Sequence, residues 1–88
     1  MNICLILSVK NESLNVLEYL NLNKNKFNML FICDINSTDS TVELINNWCI
    51  ENNKLVQIHK SDKMISGSSC EKLAKKCYPD AIIKSIQW

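Results

Sequence analysis

At residues 31–41 the chain reads Phe31-Ile32-Cys33-Asp34-Ile35-Asn36-Ser37-Thr38-Asp39-Ser40-Thr41. An apolar segment ends there at a carboxylate, and a short polar turn leads into a helical pattern. In an α/β sheet, the carboxyl end of a parallel strand lies at the edge where ligands bind. The helix that follows offers unpaired backbone N–H groups in its first turn. This segment therefore predicts a strand, a ligand-binding turn and a helix in succession.

The rest of the chain repeats the alternation of strand and helix. Four short apolar runs, at residues 3–7, 29–33, 55–58 and 81–86, predict strands, and the first is apolar enough to be buried on both faces at the centre of a sheet. Residues 21–28 are rich in Asn and Lys and predict a surface connection, and residues 59–69 predict a polar loop.

Three further segments carry apolar residues at helical spacing. We expect Asn11 or Ser13 to cap the first helix, Ser40 and Glu43 to form a capping box at the start of the second, and Pro79 to end the third. The apolar positions are Leu14, Leu17 and Leu20 in the first helix, Val42, Ile45, Trp48 and Cys49 in the second, and Cys70, Leu73, Ala74 and Cys77 in the third.

The element order β-α-β-α-β-α-β predicts a single α/β domain over residues 1–88. Right-handed crossovers between strands produce a three-layer, mostly parallel, Rossmann-like sheet with helices on both faces. The last strand leaves one edge of that sheet open.

Composition excludes several classes of function. Ten basic and nine acidic residues give a net charge of +1, and no run of Lys is interleaved with aromatic residues as in a nucleic-acid-binding face. The sequence contains no membrane span and no secretory signal, so we expect a cytoplasmic protein. Its five cysteines form no CxxC pair and lie in or beside apolar runs, which predicts reduced, buried thiols.

Two segments taken together resemble the N-terminal part of the family 2 glycosyltransferases, which have the GT-A fold. They are Ile6-Leu7-Ser8-Val9-Lys10-Asn11-Glu12 and the segment from Ile32 to Ile45. In that family the first strand ends in a sequence such as Val-Lys-Asn-Glu, and the second in Asp-Asp-Gly-Ser-Thr-Asp-x-Thr or a close variant. The resemblance covers the element order of the whole chain, but the motifs of its first half only.

The resemblance implies a site for the base and ribose of a nucleotide-sugar donor, with a UDP-sugar favoured. Asp34 is the leading candidate, because a carboxylate can accept the ring N–H of a uracil-like base. Ser37, Thr38 and Asp39 are interpreted as structural residues that satisfy free N–H groups before the second helix. The residues implied at the nucleotide-sugar site are Ser8, Val9, Lys10, Asn11, Glu12, Asp34, Ile35 and Asn36.

The chain also departs from the family pattern. Ile35 stands where members often have a second carboxylate, and Asn36 stands where they have glycine. Ser69-Cys70-Glu71 replaces a segment whose Arg approaches the donor diphosphate. The acidic motif that holds Mg²⁺ or Mn²⁺ in a complete member would fall on Ile86-Gln87-Trp88, where no acidic pair exists.

These departures predict a truncated or degenerate donor-binding half. The acceptor half and the catalytic base would lie beyond residue 88, so no catalytic residue, metal site or cofactor is assigned, and we expect no transferase activity from the isolated chain. The competing hypothesis is a non-catalytic α/β interaction module that assembles through its open sheet edge, as a homo-oligomer or with a complementing chain. A phosphorelay receiver fits less well, because its acidic pair after the first strand is missing here.

The remaining polar candidates have ordinary explanations. His59 is the only histidine and completes neither a metal cluster nor a triad. Lys60, Asp62 and Lys63 form a mixed charge cluster that is typical of a solvated loop, with contact to a nucleotide as the alternative. Trp48 has the spacing of a core residue.

Overall fold

A computed structural model describes residues 2–85 and confirms the predicted alternation of strands and helices. A short 3-10 turn, Lys24–Lys26, follows the first helix. The elements are β1 (Ile3–Val9), α1 (Val16–Asn23), β2 (Met29–Ile35), α2 (Thr41–Glu51), β3 (Leu55–Ser61), α3 (Gly67–Cys77) and β4 (Ile82–Ser85).

All four strands of the sheet are parallel, in the order β3-β2-β1-β4. The central position of β1 is confirmed, and its residues Cys4 to Leu7 are buried. A strand with helices over both faces gains from apolar side chains on both sides, which explains the continuous run. In β2 the same pattern extends through Asp34 to Ile35, all of them buried from Leu30 onward.

The sheet separates two apolar cores, as expected for three layers. One core lies under α1 and α2 and includes Leu20, Leu30, Ile32, Ile45 and Trp48. The other lies under α3 and is smaller. Its buried members are Cys4, Ile6, Phe31, Cys33, Cys70 and Ala74.

The predicted start of α1 is wrong. Leu14 is 93% exposed, and the helix begins two residues later, at Val16, with Asn15 as its N-cap residue. Neither Asn11 nor Ser13 caps it. Leu20 is buried and Leu17 packs against the core as predicted, and Val16 and Tyr19 complete the buried face in place of Leu14.

The predicted capping box is not found at the start of α2, and a left-handed turn ends this helix. Ser40 is the N-cap residue, but its side chain makes no capping hydrogen bond. At the other end, Asn53 has a φ of 56° and the N–H groups of Asn53 and Lys54 donate to the carbonyls of Ile50 and Cys49. This is a Schellman motif, with asparagine at the left-handed position that glycine usually occupies.

The third helix begins earlier than predicted. Ser66 Oγ accepts the N–H of Ser69, so α3 starts at Gly67, and it ends before Pro79 as expected. Four of the five cysteines are buried as predicted, whereas Cys77, which was assigned to the core, is exposed.

Several segment boundaries also differ from the predictions. The strands β1 and β3 run to Val9 and Ser61, past the apolar runs that marked them, so part of the predicted loop 59–69 is strand. Phe27 is buried within the predicted surface connection. The predicted end of β4 at residue 86 and the acidic-motif positions 86–88 lie outside the described residues. Among residues 2–85, no helix has the length and apolar character needed to cross a bilayer.

Candidate functional site

The candidate site lies at the carboxyl edge of the sheet, where β1, β2 and β3 end at Val9, Ile35 and Ser61. The loops after β1 and β2 meet at this edge, because the two strands are paired in register, with Val9 opposite Asp34. Parallel α/β sheets bind their ligands beyond this edge.

Asn11 joins the loop after β1 to the loop after β2. Its backbone N–H donates to Ser37 Oγ at 3.0 Å, and its Oδ1 accepts the N–H groups of Thr38 at 2.8 Å and Asp39 at 3.3 Å. A φ of 50° turns the Asn11 backbone into the left-handed region, which asparagine tolerates better than most residues. The Asn11 side chain therefore acts as part of the scaffold at this edge.

Asp39 and Thr41 complete this two-loop network, which we define as residues 11–13 and 37–41. Asp39 Oδ2 accepts the N–H of Ser13 at 3.3 Å, and its Oδ1 accepts both the N–H and the hydroxyl of Thr41. The buried Thr41 Oγ1 in turn accepts the N–H of Glu12 at 2.9 Å. The prediction that Asp39 is structural agrees with these contacts, although half of its partners belong to the other loop.

The network perturbs the ionisation of Asp39. The hydrogen bond from the Thr41 hydroxyl is the main cause that lowers the pKa of Asp39 to about 2, with further hydrogen bonds from Ser13 and the Thr41 backbone, against a smaller opposing effect of burial. The carboxylate is therefore ionised throughout the neutral and mildly acidic range.

A cavity of about 410 Å³ opens beside this network, between the ends of β2 and β3. This volume falls within the range of small-molecule sites, about 300–1,000 Å³. Its lining is polar and carries charges of both signs. The lining residues are Asp34, Asn36, Ser37, Lys60, Ser61 and Asp62.

Asp34 is the most unusual residue of the lining. It is only 3% exposed, and its Oδ1 has no hydrogen-bond partner within residues 2–85. A buried carboxylate oxygen without a partner costs at least about 1–3 kcal/mol, and such atoms are rare in folded proteins. A hydrogen-bond donor that reached this oxygen would remove that cost.

Lys60 provides the cation of the cavity. It lies directly opposite Asp34 in the pairing of β2 with β3, and its side chain is exposed. A mobile ammonium group beside a buried carboxylate can bind an acceptor oxygen or a phosphate. Together the two residues offer one acceptor and one donor group to a polar ligand.

The structure brings together only part of the predicted nucleotide-sugar site. Asp34 and Asn36 line the cavity, and Asn36 has a φ of 52°, a left-handed conformation that glycine adopts at lower cost. The side chains of Val9 and Ile35 are buried, which leaves only their backbone groups available to a ligand. Ser8, Lys10 and Glu12 do not line this cavity.

Two cavity residues from β3 were not among the predicted site residues. The sequence placed Lys60 in a loop charge cluster, with contact to a nucleotide as the alternative to a solvated loop, and Ser61 was missed because the strand was predicted to end at Ile58. Their position depends on the register of β2 against β3, in which Ile35 lies opposite Ser61. For Lys60, the one signal in the sequence was that this charged residue lies two positions after the apolar run 55–58.

The arrangement defines a class: an α/β domain with an all-parallel, Rossmann-like sheet and a polar cavity at its carboxyl edge. No protein-family model and no curated protein matches the chain. Within residues 2–85, no group of three or more His, Cys, Asp or Glu side chains is placed to hold a metal ion. The lining of the cavity offers hydrogen-bonding and charged groups to a ligand.

Proposed function

We propose that this domain binds a nucleotide-sugar donor, with a UDP-sugar favoured, at the carboxyl edge of its sheet. The observation that supports the proposal most directly is the buried Asp34, whose Oδ1 lacks a partner among residues 2–85 and which lines the cavity. In this role Asp34 accepts the ring N–H of the base, replacing the hydrogen bonds that the carboxylate loses on burial.

The charges around the cavity are consistent with weak binding. Lys60 attracts phosphate or ribose oxygens, whereas Asp62 lines the same cavity and repels a diphosphate. One hydrogen bond to a charged group contributes about 1.5–3 kcal/mol, a factor of roughly 10 to 150 in affinity. Removal of the Asp34 carboxylate should weaken binding by that factor.

The proposed activity is binding without turnover. Among the family traits, the sequence retains the strand-end motifs and lacks the acidic motif that would hold Mg²⁺ or Mn²⁺ against the diphosphate. Binding by the base and ribose does not require that metal, so we expect the affinity for UDP to be unchanged by Mn²⁺.

Calorimetric titration with UDP, UDP-sugars and GDP-sugars, with and without Mn²⁺, tests the proposal. Asp34→Ala should weaken binding by the full factor because it removes the acceptor, whereas Asp34→Asn should weaken it less, because its amide oxygen still accepts the N–H without the negative charge. Asp80→Ala is the matched control, because Asp80 is an exposed carboxylate that precedes β4, at the opposite edge of the sheet. Two results would refute the proposal: no heat of binding with any donor, or an affinity of Asp34→Ala for UDP equal to that of the parent protein.

The second candidate is an interaction module, and one observation favours it. Among the described residues β3 is an edge strand, and its first residue, Leu55, is 59% exposed. Edge strands with exposed apolar residues pair readily with other chains. Sedimentation at increasing protein concentration should then show self-association that Leu55→Lys weakens, and a monomer at every concentration would exclude assembly between copies of this chain.

A further inference from the structure

Two cysteines meet beneath α3, on the face of the sheet opposite α1 and α2. The Sγ atoms of Cys33, on β2, and Cys70, on α3, lie 2.7 Å apart. Non-bonded carbon atoms rest about 3.5–4.0 Å apart, and sulfur is the larger atom, whereas a disulfide bond is about 2.05 Å long. The two sulfur atoms are therefore closer than atoms in ordinary non-bonded contact, but not as close as in a disulfide bond.

We propose that Cys33 and Cys70 form a redox-sensitive pair that closes to a disulfide and fastens α3 to β2. A peroxide serves as the oxidant. One thiol attacks the O–O bond to give a sulfenic acid and release water, and the second thiol then displaces the hydroxyl as a second water. In total, two thiols and one hydrogen peroxide give one disulfide and two waters, so two electrons pass from sulfur to oxygen.

The surroundings of the pair make this reaction depend on opening of α3. Both thiols are buried, with Cys33 0% and Cys70 2% exposed, and burial raises the pKa of Cys33 to about 12. Two residues of α3, Cys70 and Ala74, are buried and Leu73 packs beside them, whereas α1 and α2 each bury four residues, so α3 has fewer anchors to the sheet than either. A helix held by so few contacts opens locally at low cost and admits the oxidant.

Closing the bond adds to those contacts a covalent link between residues 37 positions apart in the chain. Such a link restricts the unfolded chain, and for a domain of this size the melting temperature should rise by roughly 10 °C or more. Ser8 Oγ lies 3.6 Å from Cys70 Sγ, so a hydroxyl group contacts one of the two thiols.

The test uses the Cys77→Ser protein, because the exposed Cys77 would otherwise consume oxidant. After treatment with hydrogen peroxide and alkylation of free thiols, digestion with trypsin should yield residues 27–54 joined to residues 64–72. Cys33 and Cys49 share the first of these peptides, so fragment-ion sequencing must place the bond at Cys33. Cys49 belongs to the other core and serves as the internal control.

The melting temperature follows the bond in the folded protein. The rise in melting temperature should appear with peroxide, disappear on reduction, and be absent from Cys70→Ala, whereas Cys49→Ala should retain it. Because the peptide mapping uses the native pair, it remains decisive even if the alanine variants fold poorly. Full alkylation of both thiols after peroxide treatment, or a bond that instead joins either of them to Cys4 or Cys49, would overturn the proposal.

Discussion

The two-loop network can be tested most directly by replacing Asn11 with alanine. The change removes the acceptor of two backbone N–H groups, at 2.8 and 3.3 Å, and leaves alanine at a φ of 50°. Each such hydrogen bond contributes about 0.5–1.5 kcal/mol net, and we take about 1 kcal/mol for the pair, because water reaches these exposed groups. The left-handed backbone adds about 1 kcal/mol, so the expected loss is about 2 kcal/mol.

Asn11→Gly separates the two contributions. Glycine adopts the left-handed backbone without strain but still lacks the acceptor, so we expect a loss of about 1 kcal/mol, half that of alanine. A domain of this size is stable by about 4–13 kcal/mol, and the difference between the variants is thus measurable. Asn25→Ala is the matched control, because Asn25 is exposed in the 3-10 turn and should change stability by less than about 0.5 kcal/mol.

Urea unfolding followed by circular dichroism gives the free energy of unfolding for each variant. Two results would refute the reasoning. If Asn11→Ala unfolds within about 0.5 kcal/mol of the parent, the loops are not held by this side chain. If Asn11→Gly and Asn11→Ala lose equal stability, the left-handed backbone contributes nothing.

Three further predictions concern Asp39 of the two-loop network, the buried face of α1 and the end of α2. The low folded-state pKa of Asp39, about 2, means that its contribution to stability is complete above the unfolded value of 3.8 and is lost as pH falls through about 2. The parent and Asp39→Asn should differ in urea midpoint at pH 7 and converge toward pH 2; a constant difference would contradict this. Leu20→Ala should cost about 2–5 kcal/mol, since Leu20 is fully buried, whereas Leu14→Ala should cost less than about 0.5 kcal/mol, and equal losses would mean that Leu14 packs against the core. Asn53→Gly should raise the thermal midpoint, gaining about 0.5 kcal/mol at the left-handed C′ position of α2, and a lower midpoint would show that the asparagine side chain is needed there.

The sequence predicted the strands well where both of their faces are buried. In β1, the continuous apolar run from Cys4 to Leu7 is too short for a helix and has the composition of a buried strand. The strand ends were harder, because Ser8 and Lys60 lie near the solvated edge, where polar residues are as common in a strand as in a loop. The start of α1 failed for a related reason: spacing alone does not distinguish an exposed Leu14 from a buried one.

Only those residues of the candidate site that follow one another in the sequence, around Asp34, were predictable. Asp34 was a candidate from its position at the end of an apolar run and lies near the end of β2, whereas its neighbour Lys60 is placed beside it by the pairing of β2 with β3. The same applies to the contact of Cys33 with Cys70, which joins a strand to a helix 37 residues away. Tertiary register, which a single sequence does not encode locally, decides both.

The two-loop network also bears on the order in which the domain folds. The hydrogen bonds between its two loops join residues 26 to 29 positions apart, and we expect them to form after β1 and β2 have paired. Contacts made after the transition state slow unfolding and leave the folding rate nearly unchanged. We therefore expect these two short loops to determine the unfolding rate, and so the lifetime of the native state, more than the folding rate.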